Sequence, residues 1–347
     1  MEHIIKEFKP KEFPDDDEFW ETYFEFTESN FRFHNPGDPL PNREGVIQRQ
    51  KADIPNFLVK RWLVYTAEEK IVGWGGFGGI LEGSDEYEAN KHTAGFNIAV
   101  LPEYSRQGIG TSLLTLIVKE AQSLNRTVID CGADCDSGRA FLQKYGGKVT
   151  LEGAENRLDM EDVDWDLMRS WVEEGEKRAE GVVIESFYEC PEEIIDEYCQ
   201  MYTKVMQMVP LGDVEYVPNI TPKERRTAEK RTKDLGRTHY TMVTREKDGK
   251  LSGLTEVFYD TREGHEIHQE LTGVLPEYRG RGLGKLMKAQ MALHIKDTYP
   301  DVKIIVTGNA DVNAPMLSIN DRMGFKRHKG GEGYKFQTEE LARKLGI

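Results

Sequence analysis

Two ten-residue stretches hold the residue types best suited to bind an anion at a backbone turn: LPEYSRQGIG at 101–110 and LPEYRGRGLG at 275–284. They share Leu-Pro-Glu-Tyr and Gly-x-Gly at identical positions, and they start 174 residues apart in a chain of 347. A repeat at half the chain length reads as an internal duplication. In each copy a β-forming run precedes the phrase and an amphipathic run follows it. The glycine turn therefore opens a helix, where the first backbone N–H groups lack intrahelical partners and the peptide dipoles add positive potential. Glycines remove the Cβ atoms that would hold an anion off. Arg279 and Arg281 add cations in the second copy; in the first, Ser105 stands at the place of Arg279, with Arg106 and Gln107 beside it. The chemistry is a phosphate or pyrophosphate cradle. The P-loop pattern is absent, and Met287 stands where a Rossmann turn carries its third glycine.

The elements that must position these turns repeat in the same order. In the first half, strands are expected at 57–66, 71–81 and 93–101, a helix at 108–124, a strand at 127–133 and a helix at 137–144. In the second half, a hairpin at 239–259 turns on Lys247-Asp248-Gly249-Lys250. A strand at 266–275, a helix at 282–298, a strand at 302–309 and a helix at 313–323 follow. The expected fold class is α/β, in the α+β sense of a mixed sheet packed with helices. The expected domains are 1–160 and 181–347, joined by an acidic, Trp-bearing linker helix at 161–180. Side chains alternate along a strand, which puts His268, Glu270, Thr272 and Val274 on one face. His268 and Glu270 can each take a proton or hold a cationic amine. The run WGGFGG at 74–79 lies inside a hairpin, where bulges or close backbone approach explain its glycines. The aromatic run 19–33 reads as a core helix followed by a loop. His34, His239 and His265 have no partner at metal spacing, so no metal is expected.

Composition narrows the function classes. With 38% hydrophobic and 31% charged residues, the chain is a globular protein. A net charge of −15 without a basic stretch argues against nucleic acid, and it suits a cationic, amine-bearing substrate. No apolar run reaches the roughly 18 residues that span a bilayer, so no membrane partner is expected. The first residues carry charges inside their apolar stretch, unlike a secretory signal. Four cysteines (Cys131, Cys135, Cys190, Cys199) are too few for a disulfide framework and read as reduced thiols of a cytoplasmic protein.

The residues also carry a family resemblance. RGRGLG (279–284) resembles the Arg/Gln-x-x-Gly-x-Gly/Ala motif of the GNAT superfamily of N-acetyltransferases, and NAPMLSINDRMGF (313–325) resembles that family's closing segment. The likeness covers 266–326, extends over the second half with the hairpin, and is similar to the C-terminal halves of tandem acetyltransferases, the group that includes mycothiol synthase. It implies two tandem GNAT-type domains. It also implies acetyl-CoA as cofactor and direct acetyl transfer to a small amine with general-base help.

The resemblance assigns coenzyme contacts to Val274, Leu275, Arg279, Gly280, Arg281, Gly282, Leu283, Gly284, Lys285, Asn309 and Asn313. In the first half it assigns them to Val100, Arg106, Gln107, Gly108 and Gly110. It puts the base at His268 or Glu270, and it puts Asn320 where many members carry an acidic Tyr. The first half has Ala94 and Phe96 at the base positions, Leu142 at that of Asn320 and Gly147 for the Phe of Gly-Phe. The expectation is a catalytic second half and a first half that is structural, cofactor-binding only, or substrate-shaping. A non-catalytic acyl-CoA-binding or regulatory module and a protein N-acetyltransferase stay open as alternatives, as do monomer and homodimer.

Overall fold

Alternating strands and amphipathic helices give the chain two sheets to cover, and its computed structural model, which describes residues 3–347, resolves two compact units. The first is the chain up to Leu151 together with Gly212–Tyr216 and Gly331–Ile347; the second is Glu152–Leu211 with Val217–Gly330. In the first unit, β1 (Ile4–Glu7), α1 (Phe19–His34) and α2 (Arg43–Lys51) lead into the hairpin β2 (Phe57–Tyr65) and β3 (Ile71–Ile80). The one-turn α3 (Tyr87–Asn90), β4 (Thr93–Val100), α4 (Ile109–Ser123), β5 (Val128–Ala133) and α5 (Asp136–Lys144) follow. The chain then runs through β6 (Lys148–Asp159), α6 (Trp165–Arg178), β7 (Val183–Phe187), α7 (Ile195–Gln207), α8 (Pro222–Asp234), β8 (Arg237–Arg245) and β9 (Leu251–Asp260). It ends with β10 (Glu266–Val274), α9 (Leu283–Thr298), β11 (Ile304–Ala310), α10 (Ala314–Met323), β12 (Lys326–Gln337) and α11 (Thr338–Leu345).

The sheet of the first unit runs β1-β2-β3-β4-β5-β12, and that of the second runs β7-β8-β9-β10-β11-β6. Each is antiparallel except at one pair, β4 with β5 and β10 with β11. The closing segments are exchanged. From Glu152 on, β6 and α6 belong to the second unit; from Gly331 on, β12 and α11 belong to the first. The helix expected as a linker at 161–180 is thus part of the second unit. Met168 and Trp171 on α6 are buried in the core that holds Ala289, Met291, Ala292 and Ile295 of α9.

Local chemistry explains the elements. α8 starts on the capping box Thr221-Pro222-Lys223-Glu224, whose Thr221 hydroxyl accepts from the Glu224 N–H at 3.3 Å. α4 lies on β3, where a Cβ on Gly75 would come to 3.0 Å from Leu113, while one on Gly76 would meet the Trp74 ring and one on Gly78 the Phe57 ring. The aromatic run is a single helix, α1, whose Trp20, Tyr23, Phe24 and Phe26 are buried with Phe8, Leu63, Ile71 and Leu101. On α6, a Cβ at Gly175 would stand 2.8 Å from Leu286 Cβ. Gly175→Leu should therefore destabilise the second unit by about 1–3 kcal/mol through overpacking, read as a lower midpoint in urea.

Candidate functional site

The glycine turn of the second unit is shaped by two left-handed residues, Gly280 at φ +78° and Gly282 at φ +83°, the latter capping α9. A Cβ at Gly280 would meet nothing within 4 Å, and one at Gly282 would lie 4.0 Å from Arg178 Nη1. Both positions face open space, and the backbone angle is what demands glycine. Buried Leu283 anchors the first turn of α9, and Gly284 follows it on that helix. Around the turn, Arg279 is exposed and its Nε donates to the Val274 carbonyl at 3.0 Å. Arg281 is held by the Glu246 carboxylate at 2.8 Å and Lys285 by Glu174 at 3.2 Å. Of the three cations named from the sequence at this turn, Arg279 alone makes no ion pair among the described residues. Arg178, delivered by α6, is a further one that the sequence reading missed.

The parallel pair β10/β11 is short. Its register covers Glu266↔Ile304 to His268↔Val306 and then stops, while β10 continues on β9 and β11 continues on β6. The two strands therefore splay beyond His268. The Leu275 N–H donates to Ser252 at 2.9 Å, so alternation along the strand turns the Val274 N–H and C=O toward the gap. Asn309 borders the gap three residues past the last pair. Asn313 caps α10, and its side chain makes no protein hydrogen bond among the described residues.

A β-bulge at the same level changes the expected face. Gln269 pairs with Val257 but Thr272 with Thr255, so Glu270 and Leu271 together oppose Glu256. Thr272 consequently shares the face of Gln269, and both bond Thr255 Oγ1, at 2.7 and 3.1 Å. Thr272 and Val274 are not on the face of His268, as strict alternation had it. That face carries His268, Glu270 and Glu256 instead.

Glu256 is 1% exposed, an acid in an otherwise buried strand. Its carboxylate accepts from Tyr202 Oη at 2.8 Å and bonds His239 Nε2 at 2.8 Å, with Arg225 Nη1 at 3.9 Å. Burial pushes its pKa up, but the His239 bond and the nearby charges of His239 and Arg225 outweigh that, so it stays ionised. The sequence reading missed this group; a lone acid inside an apolar strand was the available signal. Glu270 is raised above the ordinary carboxylate range, chiefly by burial, against the opposing charge of His268. His268 bonds Glu266 at 3.0 Å, and that bond raises its pKa. Asn320, at the place of the family's acid, is 1% exposed, and both ends of its amide are bound inside the protein.

The first unit repeats the turn but not the acids. Gly108 caps α4 at φ +88°, and Arg106, which matches Gly280, holds φ +64°. Left-handed backbone costs a side-chain-bearing residue about 1–2 kcal/mol, so the shape of the turn is kept at some expense. Gln107 meets His3 at 3.3 Å, Gly110 opens α4 beneath the Phe141 ring, and Val100 ends β4. β4 pairs with β3 in unbroken register, and Ala94 and Phe96 are buried in the core. His34 is brought to 2.9 Å from Asp134 with Cys135 adjoining, a grouping that spacing along the chain does not reveal.

A mixed sheet that splays at its one parallel pair, with a glycine turn opening the next helix, is the plan of an N-acyltransferase fold, and here it is built twice. The chain belongs to the acetyltransferase (GNAT) family, whose profile matches residues 16–146 and again 206–325. Among solved structures it is similar to a tandem GNAT protein from the clavulanic acid biosynthesis pathway, 19% identical with a TM-score of 0.73 over 97% of this chain and 99% of that one. It is also similar to a GCN5-related N-acetyltransferase from Sphaerobacter thermophilus, at 13% identity and a TM-score of 0.68 over 97% and 96% of the two chains. At these identities the likeness carries the fold alone. No curated protein matches the chain in sequence. No helix among the described residues is long and apolar enough to cross a membrane.

Proposed function

We propose that the second unit transfers an acetyl group from acetyl-CoA to the amine of a small acceptor, and that the first unit does no chemistry. The observation that carries this is the bulge: it sets Glu270 opposite Glu256, with His268 on the same face, beside the gap where β10 and β11 part. The residues fit the cofactor. The glycine turn has room for a pyrophosphate, Arg178 and Arg279 stand near it, and the Val274 backbone faces the gap. Acetyl-CoA, when bound, supplies a thioester carbonyl open to attack. Glu270 takes the proton of the incoming amine, its basicity increased by burial. Glu256 and Glu266 keep the face acidic, which favours a cationic acceptor. In the first unit Ala94 and Phe96 leave no base, while the strained Arg106 turn supports cofactor binding without transfer. The four free cysteines agree with a cytoplasmic setting.

The test is calorimetric titration of acetyl-CoA, with thiol release measured over a panel of amines. Gly284→Glu puts a carboxylate in the second turn without backbone strain, since its Cβ makes only ordinary contacts at 3.8 Å and beyond. It should weaken acetyl-CoA binding to that unit at least tenfold and abolish transfer. Gly110→Glu, whose Cβ displaces Phe141 slightly from 3.3 Å, should leave transfer intact. A wild type that binds no acetyl-CoA rejects the reading, and loss of transfer in Gly110→Glu alone reverses the division of labour.

A further inference from the structure

The second unit buries a lysine that the proposed chemistry has not used. Lys288 lies on α9 at 1% exposure, with its ammonium 2.5 Å from Asn320 Oδ1 and 4.8 Å from the centre of the Phe325 ring. Asn320 Nδ2 donates to Asn309 Oδ1 at 2.7 Å, and Asn156 Nδ2 donates to the same oxygen at 3.2 Å. An ammonium can only donate, so it fixes the orientation of each amide in turn. Asn320 must present its oxygen to Lys288, and Asn309 must present its oxygen to Asn320. No protein acceptor among the described residues takes the Asn309 Nδ2–H groups, and Asn309 sits on β11 beyond the point where that strand parts from β10.

The duplication supplies an internal control. At the position of Lys288 the first unit has Leu114, 0% exposed, and at that of Asn320 it has Leu142, 5% exposed. The same fold thus packs this spot with two leucines where there is no base. Burying a lysine and an amide instead is costly, and burial alone pulls the Lys288 pKa down to about 7, with no charged neighbour contributing.

We propose that Lys288 is the positioning residue for the leaving thiolate, acting through Asn320 to aim the Asn309 amide N–H groups into the gap between β10 and β11. This rests on the acetyl-CoA reading above. In the step concerned, the amine nitrogen bonds to the carbonyl carbon, the C–S bond breaks and its electron pair leaves on sulfur. The proton lost by the amine passes through Glu270 or solvent to the thiolate, and Lys288 gives up none. Charge on sulfur and charge on Lys288 support one another through the aligned amides.

Coenzyme A itself is the probe, so no acceptor is needed. Its thiol is titrated by thiolate absorbance while bound to the wild type, to Lys288→Met, and to the double variant Lys288→Leu/Asn320→Leu, which copies the packing of the first unit. Calorimetry gives the affinity in parallel. The expected result is unchanged affinity and a bound-thiol pKa about one unit higher in both variants, the worth of one charge-assisted hydrogen bond. With any amine the wild type acetylates, kcat should fall about tenfold while KM for acetyl-CoA holds. A structural lysine would alter thermal stability and leave the thiol titration where it was, which overturns the proposal while the acetyl-CoA reading stands. A wild type that binds no coenzyme A overturns both. The double variant, built from a pair this fold already accommodates, keeps the test decisive where Lys288→Met alone misfolds.

Discussion

A chain that stops after Gly330 should lose the fold of the first unit and keep that of the second. The cut removes the part of β12 that pairs residue by residue with β5, from Glu332↔Ala133 to Gln337↔Val128. Four core side chains go with it and with α11: Tyr334 at 0% and Phe336 at 3% exposure on β12, and Leu341 and Ala342 at 1% on α11. Burying the three larger ones is worth about 1.5–3 kcal/mol each, which together approaches the whole stability of an ordinary domain. Thr338 leaves too, and with it the bond from its hydroxyl to the Arg126 carbonyl at 2.6 Å. The second unit keeps every strand of its sheet, because the strand that closes it, β6, comes from before residue 160. Hydrogen exchange on the truncated chain should show β2 to β5 unprotected and β8 to β11 protected. Equal protection of both sets would mean that β12 and α11 are dispensable to the first unit.

That exchange of closing segments is also what the sequence could not reveal. The repeated phrase locates the turns, and apolar periodicity locates α4 and α9 almost to the residue: 282–298 expected, Leu283–Thr298 observed. The strand at 148–159 was not among the expected elements, and a strand placed there would still not say which sheet edge it joins, because a duplicated chain reads the same with its last strands kept or traded. The bulge was hidden for a related reason. Nothing in EIHQELTGV marks where one residue is left unpaired, yet that residue moves Thr272 and Val274 off the face of His268. Residues that meet from distant elements stayed hidden as well. His239 looked unpartnered along the chain, and its partner Glu256 lies across the hairpin. Lys288 was legible in principle. It falls on the buried stripe of α9 between Met287 and Met291, and the first copy answers it with Leu114.

Replacing Glu270 with Gln should cut kcat by about 10²–10⁴, the usual worth of a general base, and more than His268→Gln does. The two candidates differ in which way their surroundings move them. His268 is raised above its ordinary 6.5, first by the bond to Glu266. At neutral pH it is therefore more protonated than a free imidazole and less able to accept a proton. Glu270 is raised above its ordinary 4.5, chiefly by burial, and its ionised form is a stronger base for it. A base must be deprotonated to act, so activity rises with pH through the pKa of whichever group serves. If Glu270 serves, the acid limb of the profile lies above the ordinary 4.5 of a glutamate; if His268 serves, it lies above 6.5. The acceptor's own ammonium also titrates, and that limb moves with the choice of amine while the enzyme's does not. Two acceptors of different basicity therefore separate them. An acid limb above 6.5 that survives Glu270→Gln and vanishes in His268→Gln would make the histidine the base. In that case Glu270 and Glu256, facing each other across the bulge, would serve to hold the cationic amine instead.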